Sequence, residues 1–137
     1  MNSANDITTL AGRILISVMF LISGFFKVGG YAQIVGYATA VHLPAPGVAI
    51  ALAAAVELAC GLAILAGFKT RFAAWLLFLY LIPVTYFFHN FWAVQGQEQQ
   101  TQMVNFWKNV AIMGGLLVLS VNGAGAYSAD RALAKKG

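Results

Sequence analysis

Charge is what this chain has least of. Of its 137 residues four are acidic and eight are Lys or Arg, 9% charged in all, while 61% are hydrophobic. A soluble domain of that composition would precipitate, so the chain is read as an integral membrane protein. Cysteine is scarcer still. Cys60 stands alone, which excludes an internal disulfide and any Cys-x-x-Cys couple carried by this chain itself. A single thiol inside an apolar segment reads as a small packing hydrophobe. The two histidines, His42 and His89, fall on the same predicted side, yet His42 precedes Leu43-Pro44 in a loop. Neither haem nor a metal ion is expected on that basis. Phosphate loops, nucleophile elbows and paired carboxylates are missing as well, so the common hydrolase and nucleotide-binding chemistries find no motif here.

What remains is apolar length. Residues 7–26, 47–66, 72–92 and 104–121 each approach the roughly 20 residues that cross a hydrocarbon core of about 30 Å at about 1.5 Å rise. The expected fold is all-α: an integral membrane four-helix bundle forming one transmembrane domain over 1–137, with no room for a soluble catalytic domain. The first segment is preceded by no positive region and followed by no small-residue cleavage site, so it is expected to be retained. If the N-terminus is inside, Arg13, Lys69, Arg71, Arg131, Lys135 and Lys136 are cytoplasmic and only Lys27 and Lys108 lie opposite. That bias favours both termini in the cytoplasm. The basic residues are dispersed along the chain, which argues for contact with the inner leaflet and against nucleic acid as a partner.

The connections have their own signals. Residues 28–46 carry Tyr31, Ile34, Val35, Ala38 and Val41 at helical spacing, which predicts a short interfacial helix ended by Pro44 and Pro46. Gly67-Phe-Lys-Thr-Arg reads as a tight cytoplasmic turn. Residues 93–102, rich in glutamine, read as a polar outer loop, bordered by Phe87, Phe88, Phe91, Trp92, Phe106 and Trp107 in the manner of an interfacial belt. Pro83 frees the carbonyl of Leu79 and predicts a structural kink.

One residue stands out against this background. Glu57 sits in the middle of the second span with no other charge in that segment. An acid near the bilayer midplane is costly, and it marks either a ligand or proton site or a hydrogen bond that fixes helix packing. Helix side chains lean toward their own N-terminus, so Glu57, Asn105, Lys108 and Asn109 lean outward while Lys27 and His89 lean into the membrane. The expected site is an outward-opening polar pocket of Glu57, Lys108, Asn109 and Asn105, with Lys27, Tyr86 and His89 as further candidates. Lys108 or Asn109, on the fourth segment, is the expected partner of Glu57. For Lys27, at the end of its segment, snorkelling to the headgroups is preferred. Ala53, Glu57, Cys60, Gly61 and Ile64 share one helix face, and Gly114-Gly115 offers a close-approach point.

The order of short motifs then points to a family. Arg13-Ile-Leu and Ser23-Gly24-Phe-Phe-Lys27 come first, then Glu57 with Gly61 and Gly67-Phe-Lys-Thr-Arg71. Lys108-Asn109, Gly114-Gly115, Gly123-Ala-Gly125 and Ser128-Ala-Asp130 complete a pattern that resembles the DoxX family over nearly the whole chain. The resemblance implies a bacterial inner-membrane four-helix protein, with some relatives linked to quinone-coupled sulfur oxidation or to complexes handling oxidative and thiol stress. It transfers no catalytic residue set. Three functions are therefore weighed: a redox-associated subunit binding a quinone or similar lipid-soluble molecule, a non-enzymatic partner holding another protein at the bilayer, and a small transporter. No cofactor is expected in the chain itself. A redox partner protein and a homo-oligomer are the assemblies considered.

Overall fold

The computed structural model describes residues 3–135 and is helical throughout its regular structure. Six helices follow in order: α1 (Ser3–Gly29), α2 (Tyr31–Ala40), α3 (Pro46–Ala66), α4 (Thr70–Phe88), α5 (Gly96–Asn122) and α6 (Ala129–Ala134), with a 3₁₀ turn at Phe91–Ala93 before α5. Four of them, with α4 extended through Ala93, are long and apolar enough to cross a membrane. Lys136, counted above among the cytoplasmic cations, lies outside the described residues.

Helix ends follow local chemistry. Pro46 opens α3 at a position where its missing N–H costs nothing. The same helix closes on Gly67, whose φ of 71° is the left-handed conformation that glycine adopts without strain. The N–H of Gly67 reaches the carbonyl of Ile64 and that of Phe68 the carbonyl of Ala63, the paired bonds of a Schellman motif. The turn Gly67–Lys69 is as tight as its sequence predicts, and α4 starts at Thr70.

Two connections differ from expectation. The helix in the first connection ends at Ala40, before either proline. The chain turns at His42, at φ 57°, and Pro46 begins the next helix instead of ending this one. The glutamine-rich stretch read as a loop over 93–102 is largely helical, because α5 begins at Gly96. Glutamine is a good helix former, and Glu98 in the first turn complements the positive end of the helix dipole.

The helices pack in a chain, α1 on α3, α3 on α4 and α4 on α5. Phe20, Cys60, Ile64, Ala73, Ala74, Leu77, Leu81, Leu116 and Leu119 form the buried core. All five residues expected to share a face of α3 are buried, Cys60 among them. The closest approach is not at Gly114, around which space is open, and Gly115 makes only an ordinary contact with Ile16. It lies between α1 and α3. A Cβ added at Gly24 would stand 2.7 Å from Leu58 Cγ, and one at Gly61 would stand 3.0 Å from Leu21 Cδ2. Glycine lets these two backbones come together, as small residues do in membrane bundles.

At the opposite end from the α2 connection, the chain after α5 folds back over the bundle. Arg13, 1% exposed, donates from Nη1 to the Ala124 carbonyl at 2.9 Å and from Nη2 to that of Tyr127 at 2.7 Å. Asp130 accepts from the Lys69 and Thr70 amides at 2.7 and 3.1 Å, capping α4 across 60 residues of sequence, while its own N–H donates to the Gly67 carbonyl. Arg13 is thus a buried clamp and not only a charge that orients the chain.

Candidate functional site

Glu57 is buried midway along α3, about 16 Å from the Pro46 end by helical rise. An ionised carboxylate in so dry a place requires compensation. It has four hydrogen bonds. Oε1 accepts from Lys27 Nζ at 3.0 Å, from Ser23 Oγ at 3.1 Å and from the Tyr80 hydroxyl at 2.7 Å; Oε2 accepts from Lys27 Nζ at 2.9 Å. Lys27 also donates to Ser23 Oγ at 2.8 Å. The ammonium therefore faces three acceptors, and no further one is needed to satisfy it.

This arrangement corrects two expectations. The cationic partner of Glu57 comes from α1 and not from α5, and Lys27 does not snorkel. The cause is the glycine contact just described, which brings one face of α1 against α3. Ser23 and Lys27, four residues apart and so one above the other on a helix, then lie opposite Glu57. The lean of side chains toward the N-terminus carries Lys27 back into the membrane, as its direction of travel requires. With its charge neutralised by Glu57 and 16% of its side chain exposed, Lys27 has little reason to reach for the headgroups.

The other candidates divide. Lys108 is exposed and donates to Asn105 Oδ1 at 3.1 Å. Asn109 is buried and donates to Thr85 Oγ1 at 3.1 Å. His89 Nδ1 lies 2.9 Å from Gln102 Oε1. Tyr86 points away: it is 60% exposed, with its ring against Phe87 and Trp92. Sequence reasoning missed Ser23 and Tyr80. Both had a signal, since a tyrosine in the middle of an apolar span must find a partner for its hydroxyl, and Ser23 precedes Lys27 by one turn.

A cavity of about 1060 Å³ joins these groups. Its walls are apolar, from residues such as Met19, Phe20, Ile50, Val56, Leu81, Val84 and Phe88. Polar atoms enter it from Ser23, Lys27, Glu57, Tyr80, His89, Lys108 and Asn109, whereas Asn105 and Tyr86 are not part of its lining. The dyad of Glu57 and Lys27 is neutral as a pair, with Tyr80 as a third hydrogen-bonding group. In such a set Glu57 can accept a proton, which leaves the charge of Lys27 uncompensated unless Lys27 gives one up in turn. Among the described residues no group of three or more His, Cys, Asp or Glu is placed to hold a metal ion.

Four apolar helices enclosing a buried ion pair beside an apolar cavity define a small polytopic membrane protein with an intramembrane polar site. The chain belongs to the DoxX family, whose model matches residues 8–90. That stretch holds Ser23, Lys27, Glu57 and Tyr80 and stops short of Lys108 and Asn109. The chain is similar to inner membrane protein YphA of Escherichia coli, with 35% identity over 129 residues covering 94% of this chain and 92% of the relative. It is also similar to inner membrane protein YqjF of the same organism, 36% identical over 136 residues and 99% of each chain. No solved structure matches it. With four membrane-spanning helices it is a multi-pass inner-membrane protein in contact with lipid.

Proposed function

We propose that the cavity binds a lipid-soluble molecule with a hydrogen-bonding head, a quinone or close analogue, and that the protein serves as a redox-associated membrane subunit. The observation that carries this reading is the position of the Glu57–Lys27–Tyr80 cluster on the wall of a large apolar cavity. Pockets for small molecules typically combine an apolar lining with a few convergent polar groups, at volumes of about 300–1,000 Å³. A quinone carbonyl accepts hydrogen bonds and takes up protons on reduction. Lys27 and Tyr80, whose donors rest on Glu57 and Ser23, would turn one of those bonds to the carbonyl when it binds, and Glu57 is the proton-handling group. Reducing equivalents come, in this reading, from a partner protein.

The same reading sets the orientation. Both termini face the cytoplasm, following the distribution of basic residues, and the cavity then opens toward the outer side. The helix α2, with Tyr31 and Tyr37 exposed, lies at the outer interface and roofs one edge of the cavity through Gln33, Ile34 and Tyr37.

The test is equilibrium binding of a short-chain benzoquinone to full-length protein in lipid nanodiscs. Glu57→Gln keeps the shape of the side chain but loses the charge-assisted bonds. It should weaken binding about tenfold, and His89→Ala by much less, because water replaces contacts at the rim. If the Glu57 variant stays folded by circular dichroism and binds as tightly as the parent, the acid is a packing device and the reading fails.

A further inference from the structure

A second cavity, of about 510 Å³, lies at the other end of the bundle, where α4 begins and the chain after α5 folds back. Lys69, Arg71 and Arg131 line it together with Gly123, Gly125 and Asp130. Lys69 and Arg71 by themselves outnumber this one carboxylate, whose two oxygens are both committed to the amides of Lys69 and Thr70. The cavity therefore carries an excess of positive charge. Arg71 is exposed and, among the described residues, neither it nor Lys69 has an ion-pair partner. Its guanidinium rests against Gly123, whose φ of 78° and missing side chain leave the space: a Cβ there would come within 3.2 Å of Arg71 Nε.

One polar atom in the wall of this cavity is left without a partner. Thr70, which also lines the cavity, is fully buried, and its Oγ1 has no hydrogen-bond partner. A buried hydroxyl without a partner is uncommon in a folded protein. Beside the cavity Phe72 is 68% exposed and continues the apolar flank of α4, so the cations stand at the edge of the membrane-spanning surface.

We infer that this cavity binds the phosphate of an anionic phospholipid, with Arg71 and Lys69 on the phosphate oxygens and the acyl chains passing along Phe72. Guanidinium groups suit phosphate because their fixed fork pairs with two oxygens at once. A free phosphate ion shares that chemistry but lacks the apolar portion that Phe72 would meet. The site is separate from the Glu57 cavity and does not depend on the function proposed for it.

The experiment uses the full-length chain in mild detergent, stripped of lipid and re-exposed to mixed micelles containing either phosphatidylglycerol or phosphatidylcholine, with bound lipid counted by native mass spectrometry. Phosphatidylglycerol should be retained about tenfold over phosphatidylcholine, a ratio expected for a charge-assisted contact. Arg71→Gln should abolish that preference, Lys69→Gln should reduce it, and Lys135→Gln, outside the cavity, should leave it intact. Excess inorganic phosphate should not displace the lipid. Equal retention of the two lipids overturns the site outright, and equal loss in the Lys135 variant overturns it in favour of diffuse surface charge. Displacement by inorganic phosphate overturns the lipid assignment and leaves a site for a free anion. Thermal melting of Arg71→Gln identifies a folding defect; if that variant melts early, Lys69→Gln decides alone, and an unchanged lipid preference in it rejects the proposal.

Discussion

Lys27 and Glu57 stabilise one another chiefly by preventing what either would cost alone. A buried ion pair often contributes little compared with apolar residues of the same volume, yet removing one member strands the other charge at about 3–5 kcal/mol. Lys27→Met should therefore lower stability sharply, while the double change Lys27→Met with Glu57→Leu should recover most of the loss. Denaturant titration of the parent, the two single variants and the double variant in one detergent measures this. Additive losses would mean that the two charges do not act as a pair. Ser23 and Tyr80 add to the coupling because both donate to the oxygen that Lys27 also uses. The acid was legible in the sequence as an isolated charge in an apolar run. Its partner was not, since depth alone does not tell which neighbouring helix presents a cation to it.

At the scale of elements, the α1–α3 contact decides the site, and two glycines decide the contact. Gly24→Ala should force Leu58 aside and cost about 1–3 kcal/mol, the usual penalty of overpacking. It should also weaken quinone binding by moving Ser23 and Lys27 off Glu57. Gly114→Ala, in open space within α5, should be neutral or stabilise by up to about 1 kcal/mol through helix propensity. Melting temperatures and the binding titration together check both; a tolerated Gly24→Ala with a damaging Gly114→Ala would contradict the packing described. In the sequence both positions are simply glycines in helices. The sequence places a close-approach point at Gly114-Gly115, but α5 turns Gly114 away from its neighbours.

Over the whole molecule, the two polar networks divide the bundle lengthwise. One holds Lys27 and Glu57 beside the larger cavity, and the other ties α1, the α3–α4 turn and the chain after α5 together through Arg13 and Asp130. The proposed orientation places the second network in the cytoplasm. Alkaline phosphatase fused after Gly137 should then be inactive while a fluorescent reporter at the same place should glow; the reverse pair of results would invert the molecule and turn the larger cavity inward.

Composition and apolar length were enough to define a four-span membrane protein, because the energy of burying a polypeptide in hydrocarbon depends on each segment by itself. The same holds for Glu57, whose cost follows from its depth, and for the tight turn at Gly67, whose motif is local. The choice of Lys27 over Lys108 depends on which helix faces come within side-chain reach, and that is set by contacts between residues more than 30 positions apart. Arg13 shows this most plainly. In the sequence it is one more basic residue near a membrane surface, and only the return of the chain after α5 supplies the two carbonyls that make its burial tolerable.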